Sequence, residues 1–259
     1  MSEETWKTSI TKIEPNKIAY KGYRVEELMG RVPFADVVFL LLRGELPSKE
    51  QGMLMDAMLV SSIDHGATPP SALAARTVAS GGAPLTTAVA AGISSINKHH
   101  GGAIEGCMRV LLDAVERKQS GGKETETVAA EVVEEYKAAN KRFPGYGHRV
   151  HTQDPRSTRL FAMAAELGVA GEYVDMANAV RAAIKERMGR DLPMNVDGAI
   201  ATMLCEMEFP PEMSNGIFAI SRSGGLVAQV YEEQTRMRPM RRIDPAAHEY
   251  DGPAERQVE

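Results

Sequence analysis

Cysteine, long apolar runs and strand patterns are scarce in this sequence, and each scarcity closes off a class of protein. The two cysteines, Cys107 and Cys205, lie far apart and lack the close spacing of a metal knuckle, so a disulfide framework is excluded and buried free thiols in a reducing cytoplasm are expected. No apolar run is long enough to span a bilayer. The opening MSEETWKTS is acidic and polar, unlike a secretory signal, so a cytoplasmic protein with no membrane partner is expected. Nor is there an excess of positive charge. Thirty basic against 35 acidic residues leave a net charge of −5, which gives no general attraction to nucleic acid and requires any anionic substrate to be met by local arginines. The zinc spacings HxH and HExxH do not occur, and no metal is expected.

What is present is helix. Only the opening TWKTSITKI, alternating Trp6, Thr8 and Ile10 with polar neighbours, and the following KIAYKGY read as strands, a short N-terminal hairpin. From about residue 25 the apolar spacing is helical. PFADVVFLLLR stops at Gly44, Ser48 caps the next helix, and Pro84 opens TTAVAAGISSI after the Gly81-Gly82 break. QSGGKETE reads as a loop, with Thr125 or Thr127 capping the helix after it, and a long helix spans Asn215 to Gln234, tolerating the Gly224-Gly225 pair. The tail from Asp244 is polar and expected on the surface. The fold class is all-α, with 43% hydrophobic and 25% charged residues as in an ordinary globular chain.

The chemistry-bearing residues cluster. Five of the six histidines fall in three glycine-flanked stretches: His65 in SIDHGATPPS, His99 and His100 in NKHHGGAIEG, and His148 and His151 in GYGHRVHTQ. A single histidine is more often a hydrogen-bonded packing residue than a catalyst. These stand out because arginine motifs accompany them, Arg156 in DPR, Arg222 in SRSGG and Arg242 in RMRPMRR, together with one acid between apolar runs, Asp197 in LPMNVDGAIATML. Asp197 reads equally as a helix N-cap or as a carboxylate whose basicity an apolar wall would raise. Arg242, within a basic run, reads also as a solvated surface charge.

The segments DHG, HGGAIEG, GYGHRV with DPR, NVDGAI, SRSGGLVAQ and RPMRR, in that order, resemble the motifs of citrate synthases, and the resemblance covers about residue 10 to Arg242. It implies a multi-helical fold with a large domain of roughly residues 1–120 and 206–259 and a small lobe of roughly 121–205. It also implies a coenzyme A thioester as substrate, with Asp197, His148 and His100 catalytic. His65, Arg156, Arg222 and Arg242 would bind the carboxylates of oxaloacetate or of the citryl group, and Gly145, Tyr146, Gly147 and His151 would lie at coenzyme A. His151 and Thr152 stand where the family often has Lys or Arg near the coenzyme. The chain is shorter than ordinary citrate synthases on the N-terminal side, and such short forms resemble citryl-CoA lyases and the citrate-synthase-like domain of ATP-citrate lyase.

The reaction implied is cleavage of citryl-CoA to acetyl-CoA and oxaloacetate. The alternatives are condensation by a compact citrate or 2-methylcitrate synthase, and a coenzyme A-binding subunit without catalysis. A homodimer is expected on two grounds. Small faces in SALAARTVAS and LTTAVAAGISSI suit close helix contact, although they also suit packing within one chain. The residue matching Arg242 in the family reaches the neighbouring subunit's site.

Overall fold

The structure is a computed structural model that describes residues 6–147, 152–242, 244–247 and 249–257. Its only sheet among the described residues is a small antiparallel one of Thr11–Glu14 (β1), Lys17–Tyr20 (β2) and Tyr23–Arg24 (β3), in the order β1-β2-β3. The expected first strand is displaced: β1 begins after Ile10, and Trp6 is fully exposed. The turn sets the register. Asn16 takes the left-handed φ of 59° that closes the chain between Glu14 and Lys17, which pairs Ile13 with Ile18.

Eleven α-helices follow among the described residues, so the all-α expectation holds: Val25–Leu28 (α1), Phe34–Arg43 (α2), Lys49–Ser62 (α3), Pro70–Ser80 (α4), Leu85–Ser94 (α5), Ala103–Gly121 (α6), Thr125–Ala138 (α7), Pro155–Glu166 (α8), Glu172–Met188 (α9), Val196–Glu206 (α10) and Ser214–Arg236 (α11). Local chemistry ends them as expected at Gly44, in the left-handed conformation, and starts α3 at Ser48. Ser48 Oγ accepts from Gln51 N at 3.2 Å while Gln51 Oε1 accepts from Ser48 N at 3.0 Å, a reciprocal capping box. Elsewhere packing overrides local signals. α6 runs on through Gln119 and Ser120 to a left-handed stop at Gly122, so most of the expected QSGGKETE loop is helix or turn. Neither Thr125 nor Thr127 caps α7, whose N-cap position is Glu124 without a side-chain bond; α7 is held by burying Val128, Val132 and Val133 and by packing on α9.

The core centres on α10, in which every residue from Gly198 to Cys205 is buried against α6, α8 and α9. A smaller apolar cluster joins Ala75 and Ala79 of α4, Ala88 of α5, and Leu226 and Val230 of α11. These small faces are therefore used within the chain. α4 and α5 meet so closely that a Cβ at Gly92 would lie 2.8 Å from the Ser71 carbonyl oxygen.

The glycine pair of α11 is required rather than tolerated. A Cβ at Gly225 would sit 2.1 Å from the carbonyl oxygen of Ile63, so the segment after α3 rests directly on α11 only because that side chain is absent. Gly225→Ala should cost about 2 kcal/mol or more, as overpacking does. A thermal unfolding midpoint lower by about 4–8 °C is expected for a chain of this size, and an unchanged midpoint would show that the segment moves aside freely.

Candidate active site

Five helix termini, the end of α3 and the starts of α4, α6, α8 and α10, converge with the middle of α11 on one place. From α11 comes Arg222, whose whole residue is only 4% exposed. Its Nε donates to Ser62 O at 3.0 Å, its Nη1 donates to Ser71 Oγ at 3.2 Å, and the guanidinium lies over the Phe218 ring at 4.8 Å. These contacts orient the cation without neutralising it. Among the described residues no carboxylate lies within 4.0 Å of it as an ion-pair partner. A buried guanidinium keeps its charge even though burial pulls its pKa down, so the pocket favours an incoming anion.

His100, in the turn before α6, meets the same serine: its Nε2 is 2.8 Å from Ser71 Oγ, and its ring stands edge-on to Phe218 at 5.7 Å. Arg222 can only donate, so Ser71 Oγ accepts from it and its own proton is free for His100 Nε2. In the tautomer that accepts from Ser71 at Nε2, a neutral His100 carries its proton on Nδ1. The neutral form is favoured first by burial and then by the charge of Arg222. His65, in the exposed segment that rests on Gly225, is likewise held toward neutrality, by partial burial first and then by Arg156 and Arg222.

Asp154 was missed as a site residue, although its Asp-Pro step is a legible helix start. Its buried carboxylate caps α8 by accepting from Arg156 N at 3.0 Å. It also grips the Arg156 guanidinium at Nε and Nη2, at 3.0 and 2.9 Å, and accepts from Val196 N at 3.2 Å, which locks the start of α8 to the start of α10. Arg156 is thereby aimed by its own chain, with Nη1 3.4 Å from Ser61 O. Ser71, which joins Arg222 to His100, carries no sequence signal that would have found it.

Asp197 lies in the first turn of α10 but is not its cap. Asn195 holds that role, its Oδ1 accepting from Gly198 N at 3.1 Å. Burial pushes the Asp197 carboxyl up to about 6, against the pull of Arg156 and Arg222. The turn before it is shaped by two facing glycines: a Cβ at Gly198 would be 2.4 Å from Gly145 O, and one at Gly145 would be 2.7 Å from Gly198 Cα. Asn195 N donates to Gly145 O at 3.0 Å and Asn195 Nδ2 to Gly147 O at 2.9 Å, so the glycine turn and the acid move as one piece.

Tyr146, expected at coenzyme A, lies in that turn. Its ring is buried and its hydroxyl donates to Ala177 O at 3.0 Å, so its side chain is committed to the core. His148 and His151 lie outside the described residues. Arg242 is exposed and is not brought to the other site residues by any hydrogen bond or ion pair among the described residues. Cys107 and Cys205 are free and buried, and burial pushes the Cys107 thiol up to about 12, which leaves it inert. Among the described residues no group of three or more His, Cys, Asp or Glu could hold a metal ion, and no helix is long and apolar enough to cross a membrane.

Of the residues that the sequence motifs single out, the fold places Arg222, His100, His65, Arg156 and Asp197 near one another. The chain belongs to the citrate synthase family: the family model for the citrate synthase C-terminal domain matches residues 3–54 and 51–243. Among solved structures, citryl-CoA lyase from Hydrogenobacter thermophilus is 42% identical with a TM-score of 0.89, covering 98% of this chain and 97% of that one. ATP citrate lyase from Methanothrix soehngenii, in complex with citrate and coenzyme A, is 23% identical with a TM-score of 0.82 over 98% of this chain and 43% of its own, a likeness of fold. Citrate synthase of Haloferax volcanii is 32% identical over 210 residues, 78% of this chain and 52% of its own length. The chain thus spans about half the length of that curated relative, and less of others.

The raised pKa of Asp197 has a consequence for stability. The folded value, about 6, exceeds the ordinary 3.8. The penalty of the ionised, desolvated group is therefore absent below about pH 4, grows between pH 4 and 6, and is complete above pH 6. Asp197→Asn should be more stable than the parent at pH 7.5, by up to about 3 kcal/mol, with the advantage fading toward pH 4. Denaturant unfolding at both pH values measures this; a variant no more stable at pH 7.5 would mean that Asp197 is well solvated or fully paired.

Proposed function

We propose that this chain is a citryl-CoA lyase that cleaves citryl-CoA to acetyl-CoA and oxaloacetate. The observation that carries the reading is Arg222, a buried cation without a carboxylate ion-pair partner among the described residues, set beside His100 and the raised carboxyl of Asp197. Likeness to the citryl-CoA lyase of Hydrogenobacter thermophilus over the full length of both chains supports the cleavage direction. Arg222, Arg156 and His65 take the carboxylates of the citryl group; guanidinium forks suit this task because they meet a carboxylate with two parallel hydrogen bonds.

The steps follow from the protonation states. His148, in the role implied by the family resemblance, removes the citryl hydroxyl proton. The hydroxyl oxygen becomes the keto group of oxaloacetate as the carbon–carbon bond breaks. The bonding pair passes into the thioester, and the enolate oxygen that forms accepts from His100 Nδ1–H. Asp197, protonated at the outset, delivers its proton to the enolate carbon and yields the acetyl methyl group. A carboxyl with a pKa near 6 is suited to holding and releasing that proton near neutral pH.

The coenzyme lies along Gly145 and Gly147, with room in a cleft of about 420 Å³ lined by Gln153, Thr158, Phe161, Arg181 and Met194. Arg156 and Asp197 come from α8 and α10, whereas His100 and Arg222 come from the start of α6 and from α11, and one apolar core joins α6 to α10. A reducing cytoplasm fits the two free thiols.

A compact citrate or 2-methylcitrate synthase is the second reading, supported by the 32% identity to citrate synthase of Haloferax volcanii. Incubation with citryl-CoA decides between them. Acetyl-CoA and oxaloacetate, with the thioester intact, are expected, and turnover in Asp197→Asn should fall by about a hundredfold or more. Free coenzyme A and citrate as main products would establish the synthase, and no turnover of citryl-CoA in either sense would leave a binding subunit.

We further propose a homodimer whose sites are each completed by Arg242 of the other copy. The exposed, unengaged position of Arg242 supports this, as do the exposed apolar side chains Leu73, Val227 and Tyr231 on α4 and α11. Arg242→Leu and His148→Ala should each be nearly inactive alone and should recover activity when their subunits are exchanged, because some mixed dimers then hold one intact site. Light scattering should give a multiple of twice 28.1 kDa. An active monomer, or no recovery despite proven exchange, would place the whole site in one chain.

A further inference from the structure

A line of polar side chains outside the reacting groups runs from the C-terminal segment to the segment that carries His65. Arg76 of α4 and Glu233 of α11 are both buried, with side chains only 4% and 1% exposed, and form an ion pair at 2.8 Å. Glu233 also accepts from Arg241, at Nε over 2.9 Å and at Nη2. The backbone of the same segment is tied to α4, with Met240 N donating to Ser80 O at 2.8 Å and Arg241 N to Ser80 Oγ at 3.2 Å. In the other direction Arg76 Nη1 donates to Gln229 Oε1 at 2.5 Å and to Glu232 Oε2 at 3.0 Å. Gln229 Nε2 then donates to both carboxylate oxygens of Asp64 at 3.2 Å, and Asp64 Oδ2 accepts from Gly66 N at 2.9 Å, folding the turn that contains His65.

Each end of this line is next to a predicted substrate contact. Asp64 precedes His65, and Arg241 precedes Arg242. The amide in the middle inverts polarity: Arg76 can only donate and an ionised Asp64 can only accept, so Gln229 must present its oxygen to one and its nitrogen to the other. Burying an ion pair such as Arg76–Glu233 adds little net stability compared with apolar packing, and its effect is to fix direction. The His65 segment is exposed from Ile63 to Thr68, and these bonds and the Gly225 contact are among those that hold it to α11.

We propose that Arg241–Glu233–Arg76–Gln229–Asp64 is a positioning relay that sets the His65 turn, which serves the chain's own site, and the Arg242 segment, which serves the site of the other copy, in one fixed relation. The consequence for substrate binding rests on the function proposed above; the mechanical part does not. None of these five side chains touches the reacting atoms, and they act through His65 and Arg242.

A polarity swap tests the relay. Gln229→Glu keeps the acceptor for Arg76 but sets a carboxylate against Asp64. Adding Asp64→Asn restores a donor–acceptor pair of reversed sense, because the new amide can donate to the new carboxylate while its oxygen still accepts from Gly66 N. In the full-length protein, hydrogen–deuterium exchange across residues 63–66 should rise several-fold in Gln229→Glu and return in the double variant, with the thermal midpoint nearly constant. The KM for citryl-CoA should rise about tenfold, the scale of one well-placed hydrogen bond, with kcat much less affected, and should fall back in the double variant. Unchanged exchange in Gln229→Glu, or no recovery in the double variant, would overturn the relay whatever the substrate is. Exchange that rises and recovers while KM stays constant would overturn its role in substrate binding alone.

Discussion

The site is organised around a buried positive charge that no described carboxylate meets as an ion-pair partner. The Arg222 guanidinium is held by a backbone carbonyl, a serine hydroxyl and an aromatic face, all of which orient it and none of which carries full negative charge. Such an arrangement costs stability in the empty protein and is offset when a carboxylate arrives. The neighbouring groups adjust to it. His100 and His65 are kept neutral partly by this charge, and Asp197 stays a weak acid only because burial outweighs the attraction of Arg222 and Arg156.

Close backbone approaches make that arrangement possible. Gly225 lets the His65 segment lie on α11, Gly92 lets α5 approach the carbonyl of Ser71, and the Gly145–Gly198 contact seats the glycine turn on α10. Each of these glycines lets a different segment pack against its neighbour more closely than a side chain would allow. Asp154 performs the same service with charge, capping α8, orienting Arg156 and holding the start of α10.

Much of this was legible in the sequence where a local signal and the tertiary structure agree. Ser48, Gly44 and Pro84 mark helix ends because capping and ring geometry act over a few residues. The site motifs gave away Arg222, His100 and Asp197, which the fold brings together. Errors came where distant contacts decide. β1 moved because the turn at Asn16, not the alternation around Trp6, sets the register. The cap of α10 is Asn195, two residues before Asp197, since its amide also ties down Gly147 O. Ser71 is bonded to Arg222 151 positions away, the bonds of Arg76 to Gln229 and of Gln229 to Asp64 span 153 and 165 positions, and none of these has a pattern along the chain.

The account depends on a carboxyl at Asp197 that is ready to carry a proton near neutral pH. Carbon-13 NMR of the protein labelled at its aspartate carboxyls, with Asp197→Asn used to assign the resonance, measures this directly in the unliganded protein. The account predicts a midpoint near pH 6, displaced upward by burial. A midpoint near 4 would contradict it, by showing that Asp197 is an ordinary solvated carboxylate and that the proton-carrying group of the site lies elsewhere.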